Sequence, residues 1–93
     1  MIKVLFIWEV KDELKQYFLE KINTKRVNLI FPESTEENYL IKEAIDSHVI
    51  VGWRPTRELL EKASQLKLFV NPGAGVQHLI EFRDLLKDIK VVN

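Results

Sequence analysis

The chain contains no cysteine. That excludes a disulfide scaffold, a thiolate metal site and a cysteine nucleophile. Glycine and proline are scarce, three of each, and no repeat or low-complexity segment occurs. Neither sign of charge is in surplus: 14 Lys and Arg face 14 Asp and Glu, interspersed along the chain. A nucleic-acid binder usually carries a basic surplus or stripe, and none is present. No run approaches the ~20 apolar residues of a membrane span. The apolar opening Met1–Trp8 is interrupted by Lys3 and ended by Glu9 and Lys11, too soon for the ~7–15-residue core of a signal peptide. The expectation is a cytoplasmic protein with neither nucleic acid nor membrane as partner. Its 93 residues make a single domain. At this size about 60% of the unfolded surface is removed from water, so the core is modest.

What is present alternates between two periods. Ile2–Trp8 is β-branched and aromatic and reads as a buried strand. Leu14, Phe18 and Ile22, with Tyr17 and Leu19, form a helical stripe over 12–22, with Asp12 and Glu13 in the first turn. Val27–Phe31 is a second strand, stopped by Pro32. Ser34 and Glu37 have the spacing of a capping box, which predicts a helix through Tyr39, Leu40, Ile41 and Ala44. Further strands are predicted at His48–Val51, Lys67–Val70 and Lys90–Val92. A helix over Thr56–Ala63 turns Leu59, Leu60 and Ala63 inward behind Pro55, and Val76–Leu86 is helical in part. Repeated β-α alternation with continuously apolar strands predicts a parallel sheet with helices on both faces. The expected fold class is α/β, a flavodoxin-like three-layer α/β/α with strand order 2-1-3-4-5.

Ligands of such sheets bind beyond the carboxyl ends of the strands. Those ends carry Trp8-Glu9, Gly52-Trp53-Arg54-Pro55 and Asn71-Pro72-Gly73-Ala74-Gly75. Gly73-Ala74-Gly75 follows a strand and opens a helix, but a dinucleotide fingerprint needs a third glycine where His78 stands. Two readings stay open for the glycine pair: a tight turn, or a nest of backbone N–H groups that binds a carboxylate or phosphate. The loop after the first strand lacks the glycine and hydroxyls of a flavin phosphate site, and Gly52-Trp53-Arg54 lacks a receiver-domain aspartate. Arg54 is placed to pair with a substrate carboxylate or to stand in solvent. Trp53 walls a pocket or covers the sheet edge. His48 lies at the amino end of its strand and reads as surface. His78 has neither a partner carboxylate nor metal spacing, and Asp46, Asp84 and Asp88 read as solvated charges. No Ser-His-Asp arrangement, paired-carboxylate motif or Walker loop occurs, and no metal ligand set is predicted.

The stretch Val49-Ile50-Val51-Gly52-Trp53-Arg54-Pro55 through Leu66-Lys67-Leu68-Phe69-Val70 and Asn71-Pro72-Gly73-Ala74-Gly75-Val76-Gln77-His78-Leu79 carries a resemblance. It resembles the first part of the substrate-binding domain of the D-isomer-specific 2-hydroxyacid dehydrogenases. The likeness extends to all 93 positions in layout and is most specific from Val49 to Leu79. Gln77 departs from the aspartate usual there. The resemblance implies an oxidoreductase that passes a hydride between NAD or NADP and a small 2-keto or 2-hydroxy carboxylate. It implies that the substrate carboxylate is held by the backbone at Ala74 and Gly75, flanked by Gly73 and Val76, with Arg54 and Trp53 nearby. The family's catalytic Arg, acid and His, and its nucleotide fingerprint, lie beyond Asn93. The chain by itself is therefore expected to bind no NAD and to be inactive. Apolar surface left uncovered predicts self-association. The alternative is a stand-alone carboxylate-binding or interaction module with the same fold.

Overall fold

A computed structural model describes residues 1–72 and 77–92. Strands β1 (Ile2–Phe6), β2 (Val27–Ile30), β3 (Val49–Val51), β4 (Leu68–Val70) and β5 (Lys90–Val92) form one sheet in the order β2-β1-β3-β4-β5. Every pairing is parallel. Helices α1 (Asp12–Lys21), α2 (Glu37–Ala44) and α3 (Arg57–Lys62) connect successive strands. A 3-10 segment, Gln77–Phe82, runs into α4 (Arg83–Leu86) before β5. This is the three-layer, flavodoxin-like arrangement predicted from the alternation.

The register fixes two faces, because side chains alternate along a strand. Leu5 lies opposite Ile50, and Ile50 opposite Phe69. All three are 0% exposed and share a core with Leu40 and Ala44 of α2, Leu59 and Leu60 of α3, and Leu79, Phe82 and Leu86. The other face carries Val4, Phe6, Val49, Val51 and Val70. Here α1 is the covering helix, with Phe18 against Phe6 at 5.0 Å and Phe31 stacked on Phe6 at 4.8 Å.

Local structure departs from the sequence reading at identifiable places. β1 ends at Phe6 rather than Trp8; Ile7 still donates its N–H to Val51 O, but Trp8 leaves the ladder to meet Trp53. The capping box does not form. Ser34 Oγ accepts from Glu36 N–H in a turn, and α2 starts at Glu37 with Glu36 as an N-cap that makes no side-chain bond. Thr56 does cap α3, accepting from Leu59 N–H at 3.1 Å. In α1 no residue is buried, and Leu14, Tyr17 and Leu19 of the apolar stripe stay 39–55% exposed. Only one side of that stripe meets the sheet.

His48 is not merely surface. It is half-buried at the amino end of β3. Its Nδ1 accepts from Lys3 N–H at 3.0 Å, its own N–H donates to Lys3 O, and its carbonyl accepts from Lys67 N–H. It pins β1, β3 and β4 together. Asp46 and Asp84 also have partners. Lys3 Nζ reaches Asp46 at 2.5 Å and Glu43 at 3.4 Å. Burial opposes the Lys3 charge, yet the bond to Asp46 and the field of Glu43 raise its pKa above the ordinary value. The hydrogen bond from Lys3 holds the Asp46 carboxyl below the usual carboxylate range. Arg57 bonds both Asp84 oxygens, at 3.1 and 3.3 Å, and donates to Glu81 O, tying α3 to α4; this lowers Asp84 in turn.

Candidate functional site

Strand order places the topological switch between β1 and β3. The crossover from β1 passes over one face through α1, and that from β3 over the other through α3. The loops leaving these strands diverge and leave a crevice, which is where α/β sheets of this kind bind ligands.

The β3 loop is held in an uncommon conformation. Gly52 has φ +152° and donates its N–H to Val70 O at 2.9 Å. A Cβ there would collide with the Ile7 side chain. Only glycine lets β3 leave the sheet this close to β1. Two residues on, Arg54 has φ +50°, the left-handed region that a non-glycine residue rarely occupies. Pro55, which follows and is buried, disfavours a right-handed helical alternative for Arg54. Sequence constraint on both sides thus fixes where Arg54 stands.

Trp53 and Arg54 come together at a cavity of about 180 Å3, lined also by Ile7, Thr35, Glu37, Leu40, Pro55, Thr56 and Leu59. Arg54 and Glu37 are its charged residues. Thr56 is committed to capping α3. Trp53 remains 41% exposed and meets Trp8 edge-on, ring centroids 4.9 Å apart. It therefore both walls the small cavity and covers the sheet edge. A larger hollow of about 920 Å3 lies one loop away, between Glu9–Asp12 and Pro32–Thr35. Lys11 and Lys15 there stand among Glu9, Asp12 and Glu33, so it favours neither sign of ligand. Among the described residues no group of three or more His, Asp or Glu could hold a metal ion.

Of the sequence-derived site residues, Arg54 and Trp53 are brought to one cavity. Gly73, Ala74, Gly75 and Val76 lie outside the described residues, as does the His78 side chain. The ends they connect are fixed: β4 stops at Val70, Asn71 is fully buried with its N–H donated to Val92 O, and helical structure resumes at Gln77. Val70 thus ends β4 on the same edge of the sheet as Trp53 and Arg54. Sequence reasoning missed Ile7, Thr35, Glu37 and Leu40 as cavity lining. Only the lone Gly52 at a strand end signalled a close approach there, which the Ile7 side chain makes.

No family model and no curated protein matches the sequence. Solved structures do match. One is the PH0520 protein from Pyrococcus horikoshii OT3, with TM-score 0.63 and 22% identity over 98% of this chain. At that identity the likeness establishes the fold. The chain spans 27% of the length of that protein. Among the described residues no helix is long and apolar enough to cross a membrane.

Proposed function

We propose that the chain is the substrate-binding part of an NAD(P)-dependent 2-hydroxyacid dehydrogenase, inactive by itself. The observation that supports this reading is that the Gly52–Pro55 loop and the end of β4, which leads into Gly73–Val76 in the sequence, lie on one edge of a 2-1-3-4-5 sheet. The same residues carry the sequence resemblance. In this reading the backbone N–H groups of Ala74 and Gly75 hold the carboxylate of a 2-keto or 2-hydroxy acid. Two such charge-assisted bonds contribute roughly 1.5–3 kcal/mol each in a water-excluded site. Arg54 adds positive charge at the same edge, and Trp53 and Trp8 supply apolar walls.

The described residues do not fit a nicotinamide dinucleotide. The loop after β1 is Trp8-Glu9-Val10-Lys11, with no glycine to let a pyrophosphate approach and two acids, Glu9 and Asp12, beside it. Hydride chemistry therefore belongs to another part of the proposed parent. What this chain does is bind and orient the acid.

The test is the coding sequence downstream of Asn93, followed by assay of its full product. A continuing frame with Gly-x-Gly-x-x-Gly, and oxidation of NADH by the product with a 2-keto acid, is the expected result. A continuing frame whose product lacks that activity overturns the reading. Saturable NADH binding by the 93-residue chain alone overturns the assignment of the cofactor elsewhere.

A further inference from the structure

The two outer strands of the sheet differ in chemistry. β5 carries a charge within the strand, Lys90. β2, at the other edge, is Val27-Asn28-Leu29-Ile30, with neither charge nor proline inside it, and among the described residues no strand pairs with its outer side. Charge and proline are the usual devices that keep an edge strand from pairing with another chain. The ladder assigns the polar groups on that outer side. Ile2 donates its N–H to Arg26 O, so Arg26, Asn28 and Ile30 turn their bonds toward β1. Val27 O, Leu29 N–H, Leu29 O and Phe31 N–H therefore point outward. Val27 N–H is already donated to Asn23 O. Above this edge, α1 turns one flank outward. Lys15 Nζ lies 5.9 Å from the ring centre of Phe31, the residue that follows β2. Leu19, one turn further along the same flank, is 43% exposed.

We infer that this edge pairs with the same edge of a second copy of the chain. β2 meets β2 antiparallel about a two-fold axis at Leu29, and the two sheets join into one. Three observations select a second copy. First, the outward groups are complementary to themselves. With Leu29 opposite Leu29, the two residues exchange their N–H and C=O bonds, and each Phe31 N–H faces Val27 O of the copy. Second, this register sets Lys25, in the turn before β2, against Glu33 of the copy, just beyond β2, at both ends of the seam. Both side chains are exposed, and among the described residues neither has an ion pair within its own chain. Opposite charges facing across antiparallel strands attract. A slip of two residues in either direction loses both charge pairs. Third, an axis normal to the sheet leaves both α1 helices on one face. With strands ~4.8 Å apart, a helix seated over β1 and β2 stands about 10 Å from its counterpart across the seam, which is the distance of packed helices. The two Leu19 flanks then face each other, and apolar surface open to solvent in one chain is covered in the pair. The pairing stands independently of the function proposed above.

Sedimentation velocity of the 93-residue chain over a concentration series tests the pairing. A monomer–dimer equilibrium is expected, with the dimer dominant at millimolar concentration. Lys25→Glu changes an exposed side chain and should leave the fold intact. It sets like charges against each other at both ends of the seam and should weaken dimerisation roughly tenfold. Adding Glu33→Lys to the same chain reverses both signs and should restore the dimer. Amide hydrogen exchange gives a second readout at the seam itself. The Leu29 N–H should exchange slowly in the dimer and fast on dilution or in Lys25→Glu. The Ile30 N–H, turned toward β1, should not follow it. A chain that stays monomeric at millimolar concentration overturns the inference. A dimer indifferent to Lys25→Glu, or one whose Leu29 N–H still exchanges freely, overturns it as well, because the contact then lies elsewhere on the chain.

Discussion

The amino and carboxyl edges of this sheet are built on opposite terms. At the amino edge bonds are plentiful and backbone angles ordinary: His48 pins three strands and Lys3 is clamped between Asp46 and Glu43. At the carboxyl edge two of three consecutive loop residues, Gly52 and Arg54, sit at positive φ, and Trp53, between them, is left exposed. Gly52 takes its φ without strain, but the left-handed backbone of Arg54 persists only where surrounding structure enforces it, and such strain concentrates at functional sites. The amino edge secures the fold, and the carboxyl edge is free to hold a ligand.

The largest stability effect expected from a single change to this contrast is at Gly52. Gly52→Ala introduces a Cβ into Ile7 and a disfavoured φ, and should cost about 1–3 kcal/mol in urea unfolding. Next is His48→Leu, which leaves the Lys3 N–H without its imidazole acceptor. About 1–3 kcal/mol should be lost if that donor stays buried. Arg54→Gly acts in the other direction. Relief of the left-handed backbone should raise stability by up to about 1 kcal/mol. The same variant should weaken substrate binding in the full product, an exchange of stability for function confined to the carboxyl edge. Equal destabilisation by Arg54→Gly and His48→Leu would erase the distinction between the edges.

The smallest effect is titration of the amino edge. The Asp46 carboxyl is held below its unfolded pKa by Lys3. Its contribution is therefore present above the unfolded value, near pH 4, and is lost as the pH falls through the lower folded value. Thermal melts from pH 6 downward should show wild type losing its advantage over Asp46→Asn in that interval. For so exposed a pair the difference should be at most about 1 kcal/mol.

The fold was legible because its signal is global. Apolar strands alternating with helical stripes admit few topologies, and the order 2-1-3-4-5, expected as the best of them, is the one observed. What was not legible depended on where partners lie in space. The stripe Leu14, Tyr17, Phe18, Leu19, Ile22 is helical in period, yet nothing in the period says that only one side of it is covered. Ser34 has the spacing of a cap, but its hydroxyl is taken by a local turn. His48 appears unremarkable in sequence because the N–H it accepts from belongs to Lys3, 45 residues away. At the candidate site, Trp53 and Arg54 were visible as residues at a strand end. The positive φ of Arg54 and the far wall from Thr35, Glu37 and Leu40 were not.

The measurement that bears most directly on the account is steady-state NADH oxidation by the full gene product and its Gly75→Val variant with a panel of 2-keto acids. On the proposed function, a branched side chain at residue 75 takes the place of the substrate carboxylate. The account predicts turnover in the wild-type product and its loss in the variant, with the protein still folded. Wild-type turnover and substrate affinity in Gly75→Val would contradict it and reduce the glycine pair to a turn.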